Sequence, residues 1–147
     1  MKTVWLPVPA EWRQPERGRS EYEIGGTVLT LTDVLPLPED PPAWMRADLA
    51  RSAGARQMKE LAATRVALAS GWPALLIEAT IGDDKRLQLL YLFLEWGAAA
   101  TLRGPADAFD RVRDEVLAVL GDATVRWGDP AVPSLARIWE GVPRPTR

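Results

Sequence analysis

The sequence predicts an α+β fold, an antiparallel sheet with helices packed on it. Three apolar, strand-like runs follow one another, over residues 74–80, 86–95 and 98–102. The first two are separated by Gly82-Asp83-Asp84, a turn-forming sequence, so we expect a hairpin there. After Gly104-Pro105, residues 106–120 carry apolar side chains at helical spacing. Consecutive antiparallel strands followed by one amphipathic helix predict a sheet with a helix laid across it.

The N-terminal third adds shorter strands and one helix. The strands are expected over residues 3–8, 20–24 and 27–33. Gly25-Gly26 has the length of a two-residue hairpin turn. We expect a helix over residues 41–54, because Asp40 is a good N-cap, Pro41 suits the first helical position and Gly54 is a plausible stop. Residues 57–68 are interpreted as two short strands, although part of this segment could instead extend the helix.

The C-terminal part predicts one clear helix followed by a tail. In residues 106–120, Phe109, Val112 and Val116 mark one face, and Gly121 sits where a left-handed cap belongs. A short strand follows over residues 124–127. Residues 1–127 are therefore expected to form a single domain, and residues 128–147, which contain four prolines, a tail. Within this tail, residues 134–140 could form one amphipathic turn that docks Leu135, Ile138 and Trp139.

Composition limits the class of protein. The chain has 147 residues, 47% hydrophobic and 26% charged, with a net charge of −2, which is the profile of a soluble globular protein. Interspersed charges of both signs give no sign of a nucleic-acid partner. No apolar run reaches 18 residues, so no membrane span is expected. Met1 is followed by Lys2-Thr3-Val4-Trp5 without a signal-peptide core, so we expect a cytoplasmic protein.

Missing residue types argue against common catalytic chemistry. The chain contains no His and no Cys, which excludes a Ser-His triad, a thiolate nucleophile and an ordinary zinc site. Asp83-Asp84 resembles a carboxylate pair, but its place beside Gly82 favours solvated turn residues. A site built from Asp and Glu stays formally open, although nothing clusters to support it. We therefore expect a protein that is not an enzyme and uses neither a cofactor nor a metal.

Period-two alternation assigns the faces of the sheet. Leu75 and Ile77 are grouped with Leu87 and Leu89 on an apolar side, which we give to the C-terminal helix. The other side is mixed and is the candidate partner-binding surface: Thr30, Thr32, Leu76, Glu78, Gln88, Leu90, Leu92 and Thr101. Two alternatives stay open. The helix at residues 41–54 covers this side, or the side is an open groove for a partner.

Seven tryptophans are many for a chain of this length. Packing explains most of them, because an indole buries a large area while its N–H stays near water. Trp72 and Trp96 both fall at strand ends, and at most one or two of the tryptophans are expected to anchor a partner.

The order of motifs resembles a known superfamily. An N-terminal Pro9-Ala10-Glu11-Trp12 turn is followed by a hairpin and by a helix after a Pro-rich crossover. Gly71-Trp72-Pro73-Ala74 then begins two long strands, and Gly104-Pro105 precedes the final helix with Phe109. Over residues 3–127 this order resembles the PsbP-like α/β/α sandwich superfamily, which includes the bacterial DcrB-like proteins. In length and layout it resembles the Eag-type adaptor chaperones of type VI secretion effectors, although the Pro-rich tail departs from the compact family ending.

This resemblance implies a non-catalytic function. It implies a small dimeric clasp that shelters apolar N-terminal helices of a cargo protein until export. On that reading, Leu76, Leu90 and Leu92 would contact the apolar helix while Gln88 and the threonines form hydrogen bonds nearby. The alternative is a small immunity or regulatory protein that binds a folded partner through charged loops at residues 13–19 or 82–86.

Overall fold

A computed structural model describes residues 2–15, 20–32, 34–69, 71–127 and 139–141, and the elements below are those of this part of the chain. The strands are β1 Lys2–Leu6, β2 Glu21–Ile24, β3 Thr27–Leu31, β4 Leu35–Pro36, β5 Met58–Ala67, β6 Pro73–Ile81, β7 Asp84–Phe93, β8 Trp96–Pro105, β9 Thr124–Trp127 and β10 Trp139–Gly141. The helices are α1 Pro41–Ala53 and α2 Ala106–Gly121.

One large antiparallel sheet organises the molecule. Its strands lie in the order β2-β3-β8-β7-β6-β5, and β4 pairs with β8 beyond this path. Helix α2 packs on one face and α1 on the other. A second, three-stranded sheet has the order β10-β1-β9. The predicted α+β architecture, an antiparallel sheet with helices packed on it, is confirmed.

Local sequence signals fix two of the predicted boundaries. At the β2–β3 turn, Gly25 and Gly26 have φ of +54° and +87°, values that side chains disfavour, and Ile24 pairs with Thr27. At the start of α1, the Asp40 side chain accepts a hydrogen bond from the Ala43 N–H at 3.2 Å. The two-residue hairpin and the N-cap are therefore confirmed.

Two other boundaries differ from the prediction. Helix α2 continues through Gly121, and its C-cap is Asp122, whose φ is −90° and whose N–H donates to the Val119 carbonyl at 3.1 Å. The predicted left-handed glycine cap is thus wrong. Residues 58–67 form one strand, β5, where two were predicted. Because β5 is largely exposed on both faces, its sequence lacks the apolar alternation that would have shown its length.

Part of the predicted tail pairs with the N-terminus. Trp139 lies opposite Val4 in a parallel pairing of β10 with β1. The predicted helical turn is therefore wrong at residues 139 and 140, whereas residues 134–138, with Leu135 and Ile138, lie outside the described part of the chain. The division into a domain at 1–127 and a tail stays a prediction.

The core has a large and a small part. The larger part lies between the sheet and α2 and contains Tyr91 and Phe93, whose rings stack at 5.4 Å. The Tyr91 hydroxyl donates to the Leu120 carbonyl at 2.7 Å, and complete burial raises the pKa of this phenol. The smaller part lies between the sheet and α1 and consists of Met45, Leu49, Ile77, Leu90 and Ala99.

The length of the β6–β7 turn corrects the predicted faces. The prediction counted Gly82-Asp83-Asp84 as the turn, but Ile81 pairs with Asp84, so only Gly82 and Asp83 lie between the strands. Removing one residue from a turn moves every side chain of one strand to the other face relative to its neighbour. Leu76 therefore lies opposite Leu89, on the α2 side, and the grouping of Leu75 and Ile77 with Leu89 was wrong.

Candidate functional site

The structure brings together most, but not all, of the predicted partner-binding residues. Thr30 and Gln88 each lie opposite Thr101 in neighbouring strands, and Leu90 follows Gln88 on the same face of β7. Leu92 is the next residue on that face. Thr32 lies just beyond β3, and its hydroxyl accepts a hydrogen bond from the Ala99 N–H at 2.9 Å.

Leu76 and Glu78 do not belong to this group. Both lie on the α2 side of the sheet because of the two-residue β6–β7 turn. The Glu78 carboxylate pairs with Arg113 of α2, and this bond raises the pKa of the Arg113 guanidinium. Glu78 thus helps to fix the helix that covers its own face.

Helix α1 covers the centre of the predicted groove. Met45 and Leu49 pack against Leu90, which is buried. Gln88 is 1% exposed and donates hydrogen bonds to Asp48 at 2.8 Å and to Thr101 at 3.1 Å. Of the two alternatives from the sequence, coverage by the helix is therefore the correct one at Gln88 and Leu90. In the described part of the chain, the centre of this face is therefore not an open groove.

An exposed apolar surface lies instead at one end of the sheet. Leu94 is 78% exposed, Leu35 41% and Trp96 38%, and Pro36 is exposed as well. Pro36 lies directly opposite Trp96 in the β4–β8 pairing, and Leu94 belongs to the turn that precedes Trp96. We call these four residues the apolar end.

Sequence reasoning missed this surface except for Trp96. The prediction ran the second long strand through residue 95, whereas Phe93 pairs with Trp96 and leaves only Leu94 and Glu95 in the turn. A two-residue turn usually contains Gly, Asn or Asp. Leu94 continues an apolar run, so nothing in the sequence marked the turn.

Leu94 has an unusual backbone. Its φ is +61°, and it is the one non-glycine residue with positive φ in the described part of the chain. This conformation brings the Cβ of a leucine close to its own carbonyl and costs roughly 1–2 kcal/mol. An exposed leucine in a strained turn is unfavourable in the isolated chain, which makes its side chain a candidate contact for a partner.

A shallow apolar cleft of about 50 Å³ adjoins the apolar end. Trp44 and Pro38 line it on the α1 side, and Gly97 contributes to its β8 side. A Cβ at Gly97 would come within 2.9 Å of Leu37 Cδ1 and 3.3 Å of the Tyr91 carbonyl oxygen. A larger residue at position 97 would therefore force the Leu37 side chain to move and crowd the backbone of Tyr91.

Carboxylates border the apolar end. Glu95 lies in the same turn as Leu94, and its backbone carbonyl accepts from the Leu37 N–H at 2.8 Å. Glu39 and Asp40 follow shortly after Leu37, and all three carboxylates belong to exposed residues. Residues 34–45 and 87–102 contain neither Lys nor Arg. Among the described residues of these two segments the side-chain charges are therefore all negative, which favours a partner with basic groups beside its apolar surface.

Away from the apolar end, the charged side chains mostly form ion pairs. Arg46 lies 2.8 Å from Glu60, and this bond lowers the pKa of Glu60. Lys85 lies 2.8 Å from Asp110. In the part of the chain that the structure describes, no three His, Cys, Asp or Glu residues lie together where they could hold a metal ion. Neither α1 nor α2 is long and apolar enough to cross a membrane.

Comparison with known proteins identifies the fold. No family model and no curated protein matches the chain. The structure is similar to that of PsbP (CyanoP) from Synechocystis, with a TM-score of 0.57 and 14% identity over 81% of this chain and 84% of that one. It is also similar to LpqN from Mycobacterium tuberculosis, described as involved in cell envelope biogenesis, with a TM-score of 0.62 and 15% identity over 86% of this chain and 85% of that one. At these identities the likeness concerns the fold, and this chain has a PsbP-like α+β fold.

Proposed function

We propose that this protein is a non-catalytic protein-binding module that holds an apolar segment of its partner at the apolar end. The observation that carries the proposal is the exposure of four apolar side chains at one end of the sheet, two of which, Leu35 and Pro36, also line a cleft. Burying such side chains on binding is favourable, and aromatic residues such as Trp96 are frequent anchors of interfaces. The PsbP-like fold and the lack of His and Cys agree with a binding role.

The surrounding carboxylates indicate the chemistry of the partner. Glu39, Asp40 and Glu95 would repel an acidic partner and attract a basic one. The segment that fits best is therefore an apolar stretch, such as one face of a helix, with Lys or Arg at its flanks.

A more specific form of the proposal identifies the partner as a secreted effector protein. The order of motifs in the sequence supports an adaptor chaperone that shelters apolar helices of a secreted effector. In this form of the proposal the binding surface is the apolar end. It is not the sheet face predicted from the sequence, because α1 covers the centre of that face. A homodimer and a cytoplasmic location belong to the same form of the proposal, and light scattering after size-exclusion chromatography tests the dimer.

Peptide binding tests the general proposal. Two fluorescent 20-residue peptides would share an apolar helical core, one with Lys flanks and the other with Glu flanks. We expect the Lys-flanked peptide to bind more tightly, with a preference that declines as salt is added. Leu94→Asn should weaken its binding about tenfold or more, because the contact area of a leucine is lost. Fluorescence anisotropy gives both dissociation constants.

Leu61→Asn is the matched control. Leu61 is also an exposed leucine, at 49%, but it lies on β5 and not at the apolar end. Its substitution should leave the affinity unchanged. If neither peptide binds, or if both variants reduce affinity equally, the apolar end is not the binding surface.

The immunity or regulatory alternative has less support from the structure. It relied on charged loops at residues 13–19 and 82–86, and residues 16–19 lie outside the described part of the chain. In the second loop, Asp84 pairs with Arg56 at 3.5 Å and Lys85 with Asp110. Side chains engaged within the fold are less available to a folded partner. A polar interface that weakens steeply with salt and does not respond to Leu94→Asn would favour this alternative.

A further inference from the structure

Two arginines lie side by side on the α1 side of the sheet. Arg86 of β7 is directly opposite Arg103 of β8, so both side chains leave the same face. They lie near the β6–β7 turn, at the end of the sheet opposite the apolar end. Arg86 is only 5% exposed, whereas Arg103 is exposed. Like charges directly opposite each other destabilise a sheet, so this pairing needs a compensating interaction.

Compensation by the residues that the structure describes is incomplete. Asp84 is the nearby carboxylate, at 3.7 Å from Arg86 Nη1 and 3.5 Å from Arg56 Nη1. Arg56 also donates to the carbonyls of Ser52 at 3.2 Å and Ala53 at 3.3 Å, and so closes the C-terminus of α1. One carboxylate is thus shared between two guanidinium groups, and both contacts are long; Arg86 Nη1 also donates to the neutral Lys85 carbonyl at 3.5 Å.

Arg103 adds a third positive charge. It makes no ion pair with any residue that the structure describes. On the adjoining strands, Glu23 is 3.3 Å from Arg13, and Glu21 lies opposite Thr30 rather than Val28, the neighbour of Arg103. Two guanidinium groups therefore share the Asp84 carboxylate, and a third, that of Arg103, lies opposite Arg86 in the sheet.

The electrostatics of Arg86 agree with this geometry. Burial lowers the pKa of its guanidinium, and the positive charges of Arg56 and Arg103 lower it further against the opposing effect of Asp84. A neighbouring anion would stabilise the charged form of Arg86.

We propose that Arg86 and Arg103 form a binding site for a phosphate group, either as free phosphate or as a small phosphate ester. A guanidinium presents parallel N–H donors that match two oxygens of an oxyanion, and two of them on one face can grip a tetrahedral group. A phosphate dianion would also offset the excess positive charge of the three arginines. This inference is independent of the proposed function, because the site lies at the other end of the sheet.

Calorimetric titration of the full chain tests the site. Inorganic phosphate, glycerol phosphate and chloride would be added at matched ionic strength. We expect both phosphates to bind saturably and to raise the thermal unfolding midpoint, and chloride to do neither. Saturable binding of inorganic phosphate alone also supports the site and restricts it to free phosphate, while binding of both shows that an ester is accepted.

Variants of the exposed arginine assign the binding to this place. Arg103→Gln should weaken phosphate binding about tenfold, because a charge-assisted pair of hydrogen bonds is lost. The phosphate affinity of Arg103→Lys should lie between those of the unchanged protein and Arg103→Gln, since lysine keeps the positive charge but not the two parallel N–H donors. Arg65→Gln removes an exposed charge on β5 and should leave the affinity unchanged. The proposal would be overturned if phosphate raised the thermal unfolding midpoint no more than chloride does. Equal losses of phosphate affinity in Arg103→Gln and Arg65→Gln would also overturn it.

Discussion

Leu94 is the residue at which stability and the proposed function conflict. Its left-handed backbone and its exposed side chain are both unfavourable in the free protein. Asparagine adopts this conformation more easily than leucine, because its short polar side chain can form local hydrogen bonds. A leucine at this position is understandable if the side chain becomes buried against a partner.

Leu94→Asn is therefore expected to stabilise the isolated protein. We expect the free energy of unfolding to rise by about 1 kcal/mol, from relief of the backbone strain. Urea unfolding followed by circular dichroism measures it. The same variant should bind the Lys-flanked peptide less tightly, so stability and affinity move in opposite directions.

Leu61→Asn again serves as the control for stability. Leu61 lies in a strand and not in a left-handed turn, so its replacement should not raise the free energy of unfolding. A loss of stability in Leu94→Asn would show that the turn is not strained by its leucine.

The predicted positions of individual side chains on the two faces of the sheet depended on the length of the β6–β7 turn. Gln88 and Leu90 were placed correctly relative to each other, because period-two alternation holds within a strand. Leu76 and Glu78 were misplaced because the phase between two strands depends on the number of residues in their turn. The sequence Gly82-Asp83-Asp84 permits either length.

At the scale of elements, β5 is the most exposed part of the large sheet. It lies at the edge opposite β2, and most of its ten residues are exposed. A long free edge invites pairing with another chain. The bulge between Glu60 and Ala62, together with the charges of Lys59 and Arg65, opposes such pairing.

Arg65→Val should therefore increase association between chains. Valine has a high strand propensity and removes the charge that opposes edge pairing. We expect a larger average mass at high protein concentration by light scattering. Arg111→Val, which removes an exposed charge from α2, should leave the mass unchanged. Equal masses for the two variants would show that Arg65 does not protect the edge.

At the scale of the whole molecule, the two helix layers are held unequally. Six residues of α2 are buried, including Phe109, Val116 and Leu120, whereas only three of α1 are. Helix α1 is also fixed by the Asp48–Gln88 and Arg46–Glu60 bonds, but the second pair is exposed and contributes little. Less buried apolar surface makes α1 the layer that opens more easily.

Hydrogen exchange tests this difference. We expect the amides of α1 to exchange faster than those of α2. Met45→Ala should lower the opening free energy of α1 by about 2 kcal/mol, roughly a thirtyfold faster exchange, and change α2 less. Equal exchange rates in the two helices, or the same acceleration in both, would contradict a separately opening α1.

The sequence by itself determined the α+β class, the antiparallel sheet, the limits of α1 and the β2–β3 hairpin. These features depend on signals that act over a few residues, such as Asp40 at a helix start and Gly25-Gly26 in a turn. The order of motifs also pointed to the PsbP-like fold, which the structural likeness supports.

Only the tertiary structure decided which surface is open. Helix α1 covers Gln88 and Leu90, which are far from it in the chain. The exposure of Leu94 and the pairing of Arg86 with Arg103 depend on the lengths of turns. A one-residue difference in a turn reverses the faces of a strand, and local preferences are too weak to fix that difference. The surfaces proposed to bind follow from strand register, which the pairing of the whole sheet sets.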